Sequence, residues 1–159
     1  RSMQILTAAF QSFTHGTNDA QKAMGIITMA LVAAQYQDTV EVPFWVKLSA
    51  ALAMALGTSV GGWKIIKTMG TKIFKIEPVN GFAADTTAAS VIMTATATGL
   101  PVSTTHVITS AILGVGSAKR FSSVNWGVAG RIVSAWIITI PISAVIAAIV
   151  FKIIAFLFL

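Results

Sequence analysis

A break between two apolar stretches constrains this chain more than any other feature. Residues 99–106, Gly-Leu-Pro-Val-Ser-Thr-Thr-His, separate the apolar stretches 82–98 and 107–118. Pro101 cannot donate a backbone hydrogen bond, and Gly99 permits dihedral angles that other residues avoid. The hydroxyl residues that follow suit the N-cap of a helix that starts again there. We therefore predict two helices that meet end to end at this break.

Composition places the break inside a membrane. Hydrophobic residues make up 55 % of the 159 residues, charged residues make up 10 %, and the mean hydropathy is +0.82. Such a chain is too apolar and too poorly charged for a soluble domain, which indicates a polytopic membrane protein. Irregular backbone at membrane depth is tolerated only where it is buried in protein or lines a wet cavity. A functional site at the break is the resulting hypothesis.

Several classes of protein and site are excluded. The net charge of +6 indicates loops that face anionic lipid rather than a nucleic-acid partner. The sequence contains no cysteine, hence no disulfide or thiolate metal site. His15 and His106 each lack a second metal ligand at useful spacing and are interpreted as structural. No Walker-type phosphate loop, HExxH or CxxC motif supports an enzyme. The start at Arg1 predicts a piece of a longer protein.

The sequence predicts four membrane-embedded segments, residues 3–35, 44–63, 81–118 and 126–159. The first is a discontinuous crossing interrupted at Gly16, because neither of its pieces has the roughly 20 residues that a span requires. The third is a re-entrant hairpin, because its second limb is too short for a full span. The last is a long crossing kinked at Pro141. The predicted fold class is an all-α membrane protein with discontinuous helices.

The distribution of lysine predicts the topology. The positive-inside rule places the lysine-rich stretch 64–77 in the cytoplasm together with residues 119–125, which leaves 36–42 outside. Three crossings plus the hairpin make an odd count, so a homologous copy fused upstream would enter the membrane in the opposite orientation. We therefore predict one half of an inverted-repeat transporter, although these 159 residues contain no internal repeat themselves.

Two polar motifs, residues 14–19 and 101–106, lie where a helix is expected to restart. A helix N-terminus carries roughly half a positive charge and unpaired N–H donors, and hydroxyl groups beside it complete a cradle for an oxyanion such as phosphate. The neutral side chains available to such a guest are those of Asn18, Ser103, Thr104 and Thr105. The alternative is that these residues only cap helices and form turns.

Asp19 and Asp85 indicate a different ligand, because a carboxylate repels an anion and attracts a cation or a proton. Acidic groups in membrane segments usually belong to ion or proton paths, and hard oxygen ligands suit sodium. Two alternatives stay open. Asp19 can form an i, i+3 ion pair with Lys22, and Asp85 can lie at the start of a helix that follows a turn at 77–81.

The motifs resemble those of a known family. Residues 15–25, His-Gly-Thr-Asn-Asp-Ala-Gln-Lys-Ala-Met-Gly, are similar to the signature of the inorganic phosphate transporter family, Gly-x-Asn-Asp followed by small residues. Residues 80–85, Asn-Gly-Phe-Ala-Ala-Asp, together with 99–106 resemble its second signature. The resemblance covers nearly the whole chain. It implies the C-terminal half of a secondary transporter that moves inorganic phosphate with sodium, or in some members with protons.

The resemblance also implies roles for single residues. It assigns phosphate to Asn18, Asp19, Ser103, Thr104 and Thr105, and the coupling cation, sodium, to Asp19 and Asp85. The family often has Glu where this chain has Asp85, a carboxylate shorter by one methylene. In that family two inverted halves each contribute one copy of the motifs to a site at the membrane midplane, and the proteins are expected to dimerise.

The expected function is cation-coupled transport of inorganic phosphate by alternating access, in the plasma membrane, with sodium favoured over protons. No covalent chemistry and no cofactor beyond the coupling ion are expected. The expected partners are phosphate, the cation, the N-terminal repeat of the same protein and a second copy in a homodimer. Two alternatives remain open. One is an anion channel whose hairpin forms a filter, and the other is a membrane scaffold that transports nothing.

Overall fold

Five α-helices form the fold of the computed structural model, which describes residues 2–158 apart from the side chains of residues 64, 157 and 158. The helices are α1 (Ser2–Ala33), α2 (Phe44–Lys67), α3 (Pro78–Ala97), α4 (Thr104–Lys119) and α5 (Trp126–Phe158). A π-helical turn, Thr68–Ile73, follows α2, and a 3-10 turn, Phe121–Ser123, precedes α5. No strand occurs within residues 2–158. The predicted all-α class is confirmed.

The break predicted at Gly16 is wrong, because α1 is one unbroken helix of 32 residues. A single glycine costs a helix interior only about 1 kcal/mol relative to alanine. The hydroxyl groups of Thr14 and Thr17 donate to carbonyls one turn earlier in the same helix, at 3.0 and 2.8 Å. These polar side chains are thus satisfied within α1 and do not end it.

The break predicted between α3 and α4 is confirmed. Gly99 has φ of +71°, in the left-handed region that glycine favours. The N–H groups of Gly99 and Leu100 donate to carbonyls at the end of α3 at 3.3 and 2.9 Å, the paired pattern of a Schellman cap. The Ser103 hydroxyl then accepts a hydrogen bond from the N–H of His106 at 3.4 Å, so α4 restarts with the predicted N-cap.

Two helix boundaries in the structure differ from those predicted from the sequence. α3 begins at Pro78, a residue suited to the first turn of a helix because the N–H that it lacks has no partner there. The turn predicted for 77–81 is therefore wrong, and Asp85 lies two turns inside α3 rather than at its start. The lysine-rich stretch 64–77 is helical over most of its length, since α2 and the π-helical turn continue into it.

α1 and α3 lie side by side and parallel. The side-chain amide of Gln4 lies against Gly81, where a β-carbon would collide with it, and Asn18 Nδ2 donates to Thr96 Oγ1 at 3.0 Å. These contacts are about 21 Å apart along α1 and about 22 Å along α3, so the two helices stay in register. We call this contact, between residues 4–18 and 81–96, the α1–α3 seam. The buried residues of α3 are mostly small: Gly81, Ala84, Ala88, Ala89, Ile92 and Ala95.

α3 and α4 form a hairpin whose open ends are tied together. Lys119 Nζ lies 2.7 Å from Glu77 Oε2, and the hydrogen bond from Lys119 lowers the pKa of the Glu77 carboxyl. The 20 residues of α3 and 16 residues of α4 correspond to limbs of about 30 and 24 Å. The tip lies level with Asn18, and α1 continues beyond it by roughly 20 Å. This is the geometry expected of a re-entrant hairpin.

The chain divides into two compact units, Arg1–Val124 and Asn125–Leu159. The second unit contains α5, which continues through Pro141, and a kink there remains a prediction. Among the described residues, two helices are long and apolar enough by length and composition to cross a membrane, Phe44–Trp63 and Trp126–Phe156. α1 falls outside this pair because it carries polar and charged residues at its centre. The crossing predicted for α1 remains a prediction.

Candidate functional site

The carboxylate of Asp19 is the centre of a polar cluster between α1 and the tip of the hairpin. Its Oδ2 lies 2.9 Å from His15 Nε2, and its Oδ1 lies 3.1 Å from Lys22 Nζ. The Thr104 hydroxyl donates to the same carboxylate, at 3.1 Å from Oδ2. Residues 15, 19 and 22 share one face of α1 because they are three and four positions apart. We call these four residues the Asp19 cluster.

The N-terminus of α4 gives this cluster its electrostatic character. Thr104 is the first residue of α4, and the first N–H groups of a helix lack partners within it and carry partial positive charge. Lys22 also donates to the backbone carbonyl of Val102 at 2.5 Å, which brings the lysine to the loop before the helix. The Asp19 carboxylate therefore lies beside the first residue of α4 and next to a cationic side chain.

Asn18 lies next to the cluster in the α1–α3 seam. The side chain is 3 % exposed, and its Nδ2 is held by Thr96. Its Oδ1 is buried and has no hydrogen-bond partner among the described residues. A buried carbonyl oxygen attracts a cation or a hydrogen-bond donor, whereas the oxygens of phosphate are themselves acceptors. In this conformation the unused group of Asn18 therefore suits a cation better than phosphate.

The five residues assigned to phosphate are only partly brought together. Thr104 contacts Asp19 and is 3 % exposed, and Asn18, next to Asp19 in sequence, contacts Thr96 in the α1–α3 seam. Ser103 and Thr105 are adjacent in sequence to Thr104, but both are exposed. One helix N-terminus reaches the cluster and not two, because α1 does not restart at residues 14–19. The cradle predicted from two converging helix ends is corrected to one helix end and a continuous helix.

Asp85 lies far from the cluster. It precedes Thr96 by eleven residues in α3, which is about 16 Å along the helix axis. Asn18 contacts Thr96, so Asp19 and Asp85 are too far apart to hold a single ion. Within the part of the chain that the structure describes, no group of three or more His, Asp or Glu residues could hold a metal ion.

Three partners in the site were not identified from the sequence. The i, i+4 spacing of His15 and Asp19 is a sequence signal for their contact, whereas the prediction for His15 is only a structural role. Thr96 and the carbonyl of Val102 had no such signal, because only the packing of the hairpin on α1 brings them to Asn18 and Lys22. The ion pair of Asp19 with Lys22, held open as an alternative, is present together with the contact to Thr104.

The fold and cluster define a helical membrane protein in which a broken hairpin meets a charged helix. The chain belongs to the phosphate transporter family, whose model matches residues 1–147. The family resemblance of the two motifs is thereby confirmed, and the members of this family are transporters rather than enzymes.

Several similar proteins are described as phosphate transporters or phosphate permeases. A probable low-affinity inorganic phosphate transporter of Bacillus subtilis is 59 % identical over 99 % of this chain and 48 % of its own length. A protein of the same description from Rhizobium meliloti is 52 % identical over 93 % of this chain and 45 % of its own. A putative phosphate permease of Pyrococcus horikoshii is 34 % identical over 96 % of this chain and 38 % of its own. The chain thus spans about half the length of these relatives, or less.

A solved structure has the same fold. The structure described as the sodium-dependent phosphate transporter matches this chain with a TM-score of 0.86 and 37 % identity. The match covers 98 % of this chain and 40 % of that one.

Proposed function

We propose that the full-length protein transports inorganic phosphate across the plasma membrane and couples it to sodium, and that this chain is one half of it. The observation that carries the proposal is the Asp19 cluster, a carboxylate held at the N-terminus of α4. Family membership and the names of the relatives support phosphate as the substrate. The name of the similar solved structure supports sodium as the coupling ion.

The N-terminus of α4 is the proposed place for phosphate. The helix end and the exposed hydroxyl groups of Ser103 and Thr105 offer neutral donors to an oxyanion. The Thr104 hydroxyl, which donates to Asp19 in this structure, would turn to phosphate when phosphate binds. Neutral donors hold an anion less tightly than arginine or lysine side chains would, which suits a carrier that must release its cargo. Lys22 adds one cation at the edge of this site, 38 % exposed.

Asp19 supplies the proposed coupling. Its negative charge repels phosphate unless another charge compensates it, and in this structure Lys22 does so. A sodium ion on the Asp19 carboxylate and the free Oδ1 of Asn18 would compensate that charge more closely, because both are hard oxygen ligands. Phosphate and sodium would then each raise the affinity of the other. We propose that alternating access with the other half of the protein, in a homodimer, converts this linkage into uptake.

Uptake of labelled phosphate by the full-length protein in proteoliposomes tests the function. We expect saturable accumulation driven by an inward sodium gradient and lost when choline replaces sodium. Accumulation that follows a proton gradient and ignores sodium would overturn sodium coupling and keep the carrier. Downhill conductance without accumulation would favour the anion channel, and no flux at all would favour the scaffold.

Topology is tested separately. Lysine asymmetry predicts that position 39 faces outside and position 72 faces the cytoplasm. The variants Thr39→Cys and Lys72→Cys should therefore react with an impermeant thiol reagent from opposite sides of the membrane. Labelling of both from one side would contradict the proposed orientation, whatever the uptake assay shows.

A further inference from the structure

An open groove of about 710 Å³ lies between α1 and α2. It is lined on α1 from Ser12 to Met24 and on α2 from Lys47 to Ser59. Each of these stretches is about 18 Å long. The connection 34–43 reverses the chain between two helices in contact, so Lys47 and Met24 lie at the same end of the groove. The groove therefore runs along both helices, and Lys47 lies at the end nearest the connection.

The length of the groove matches one leaflet of a bilayer. The hydrocarbon core of a membrane is about 30 Å thick, so the acyl chains of one leaflet occupy about 15 Å. The apolar span of α2 starts at Phe44, so the groove extends from near one interface to just past the middle of the membrane. Small residues line its central part, Gly16 and Ala20 on α1 and Ala51 and Ala55 on α2. Such a lining leaves room for a chain of methylene groups.

Lys47 is a cation without a partner at the mouth of this groove. Within the described residues it has neither a hydrogen bond nor an ion pair, and it is exposed. It lies in the first turn of an apolar helix that starts at Phe44. A charged side chain at the edge of such a span is costly unless it reaches the interface or meets a group of opposite charge. An anionic group at this end of the groove would supply that charge.

The residues around Lys47 indicate the depth and the charge pattern of a ligand. Tyr36 and Trp45 are exposed on either side of the connection, and these residue types are enriched at the membrane–water interface. Lys47 therefore lies at the level of the lipid headgroups. Asp38 and Glu41, in the connection itself, are also exposed. Along the chain from the connection into the groove, negative charge is followed by positive charge, which is complementary to a zwitterionic headgroup with an outer ammonium and an inner phosphate.

We propose that the groove between α1 and α2 binds a molecule of phosphatidylethanolamine, with its phosphate at Lys47 and an acyl chain along the groove. The ammonium group donates to the carboxylates of Asp38 and Glu41. Gln21 lines the groove and is exposed, and it lies about one turn deeper than Lys47. Its amide can therefore donate to an ester carbonyl of the lipid. The two carboxylates of the connection would repel a lipid with net negative charge.

The lipid site is separate from the α1–α3 seam and its ligands. Successive residues of a helix are about 100° apart, so Gly16 and Ala20 lie on nearly the opposite face of α1 from Asn18. Asn18 faces α3, whereas Gly16 and Ala20 face the groove. Lipid binding on that face requires neither phosphate nor sodium, so its test is independent of the proposed transport.

Lipid titration of the purified, delipidated full-length protein tests the site. Phosphatidylethanolamine is added in detergent without phosphate or sodium, and the retained lipid is counted by native mass spectrometry. One variant is Lys47→Gln, which removes the charge. The other combines Ala51→Leu with Ala55→Leu, which fills the groove. The matched controls are Lys67→Gln and Ala53→Leu, at exposed positions of α2 that do not line the groove.

We expect the parent to retain phosphatidylethanolamine and Lys47→Gln to need roughly tenfold more lipid for half occupancy, the effect of losing one hydrogen bond to a charged group. The variant with both leucines should lose the lipid. It should keep its unfolding midpoint in lipid-free detergent, because Ala51 and Ala55 are exposed. Phosphatidylglycerol and phosphatidylcholine should bind several-fold more weakly, since neither offers an ammonium N–H group to the carboxylates. Both controls should follow the parent.

Three outcomes would overturn lipid binding in the groove. The first is equal retention by Lys47→Gln and the parent, and the second is tighter binding of phosphatidylglycerol than of phosphatidylethanolamine. The third is a lowered unfolding midpoint of the variant with both leucines in lipid-free detergent, which would show that another part of the full-length protein fills the groove. A protein that retains the lipid as expected but transports no phosphate would overturn the proposed function alone.

Discussion

The motifs at residues 14–19 and 99–106 carry similar residues and meet in one cluster, yet the first is continuous helix and the second is broken. Both contain a glycine followed by polar side chains. A β-carbon added to Gly16 would meet no atom within 4 Å, and its helix continues. Gly99 adopts positive φ, and the loop that follows contains Pro101. A lone glycine costs about 1 kcal/mol and proline about 3 kcal/mol in a helix interior, so Gly99 and Pro101 together disfavour a continuous helix more strongly than Gly16 alone.

The difference assigns the two motifs different tasks. The continuous α1 fixes His15, Asp19 and Lys22 on adjacent turns, which holds the carboxylate between two cationic or protonatable side chains. The broken hairpin instead exposes the first N–H groups of α4, which a continuous helix would have used internally. One motif therefore supplies a positioned charge and the other supplies free donors.

The largest effect is expected from Asp19→Asn, which removes the charge and keeps the size of the side chain. We expect loss of sodium dependence and of driven phosphate accumulation, because the linkage between the two ligands needs the charge. The measurement is phosphate binding to the full-length protein across sodium at fixed pH, then across pH at fixed sodium. Asp38→Asn, an exposed loop position, is the matched control.

If Asp19 has only a structural role, the expected effect of Asp19→Asn on sodium dependence is different. A partly exposed ion pair with Lys22 is worth under about 1 kcal/mol, and its loss should leave coupling nearly intact. Unchanged cation dependence in Asp19→Asn would therefore remove Asp19 from the cation site and leave Asp85 as the better candidate.

The next effect concerns the donors of the broken motif. Thr104→Val and Ser103→Ala each remove one hydroxyl group, and a hydrogen bond to a charged guest is worth about 1.5–3 kcal/mol. Phosphate affinity should fall roughly ten- to a hundredfold in each without loss of membrane insertion. Thr109→Val is the control on the same helix, since the Thr109 hydroxyl is buried and unpaired among the described residues. Normal phosphate affinity in both variants would indicate that these hydroxyl groups only cap the helix.

A smaller effect separates the two glycines. Gly99→Ala should lower stability by about 1–2 kcal/mol, because a β-carbon disfavours positive φ. Gly16→Ala should raise it by up to about 1 kcal/mol, because alanine favours the helix and its β-carbon would meet no atom within 4 Å. Unfolding in mild detergent measures both. Equal effects of the two substitutions would mean that the contrast between the motifs is not set by local backbone preference.

Apart from the break at Gly16, the sequence predicts what depends on local chemistry and misses what depends on packing. The Ser103 cap and the bend at Gly99 follow from residues within one turn, and both were predicted. The break predicted at Gly16 is wrong because a glycine and hydroxyl residues without a proline do not end a helix. The contact of Asn18 with Thr96 joins residues 78 positions apart, and only the register of α1 on α3 creates it. The separation of Asp85 from Asp19 follows from that same register.

The smallest effect on stability is expected at the open end of the hairpin, where the exposed side chains of Glu77 and Lys119 form an ion pair. The hydrogen bond and charge of Lys119 lower the pKa of Glu77 below its ordinary value of 4.5. A carboxyl whose pKa is lowered by folding adds stability that is present above its unfolded value and is lost as pH falls through the folded value. The contribution of this pair is therefore present at neutral pH and disappears on acidification below about 4.5.

Lys119→Gln should return the pKa of Glu77 toward its ordinary value, as measured by carboxyl-carbon NMR titration, and should remove this acid-dependent step from the unfolding midpoint. Lys75→Gln is the matched control, because the charge of Lys75 ranks last among the influences on Glu77. An equal shift in both variants would show that the general field of the basic end, rather than the tie between the two limbs, sets the acidity of Glu77.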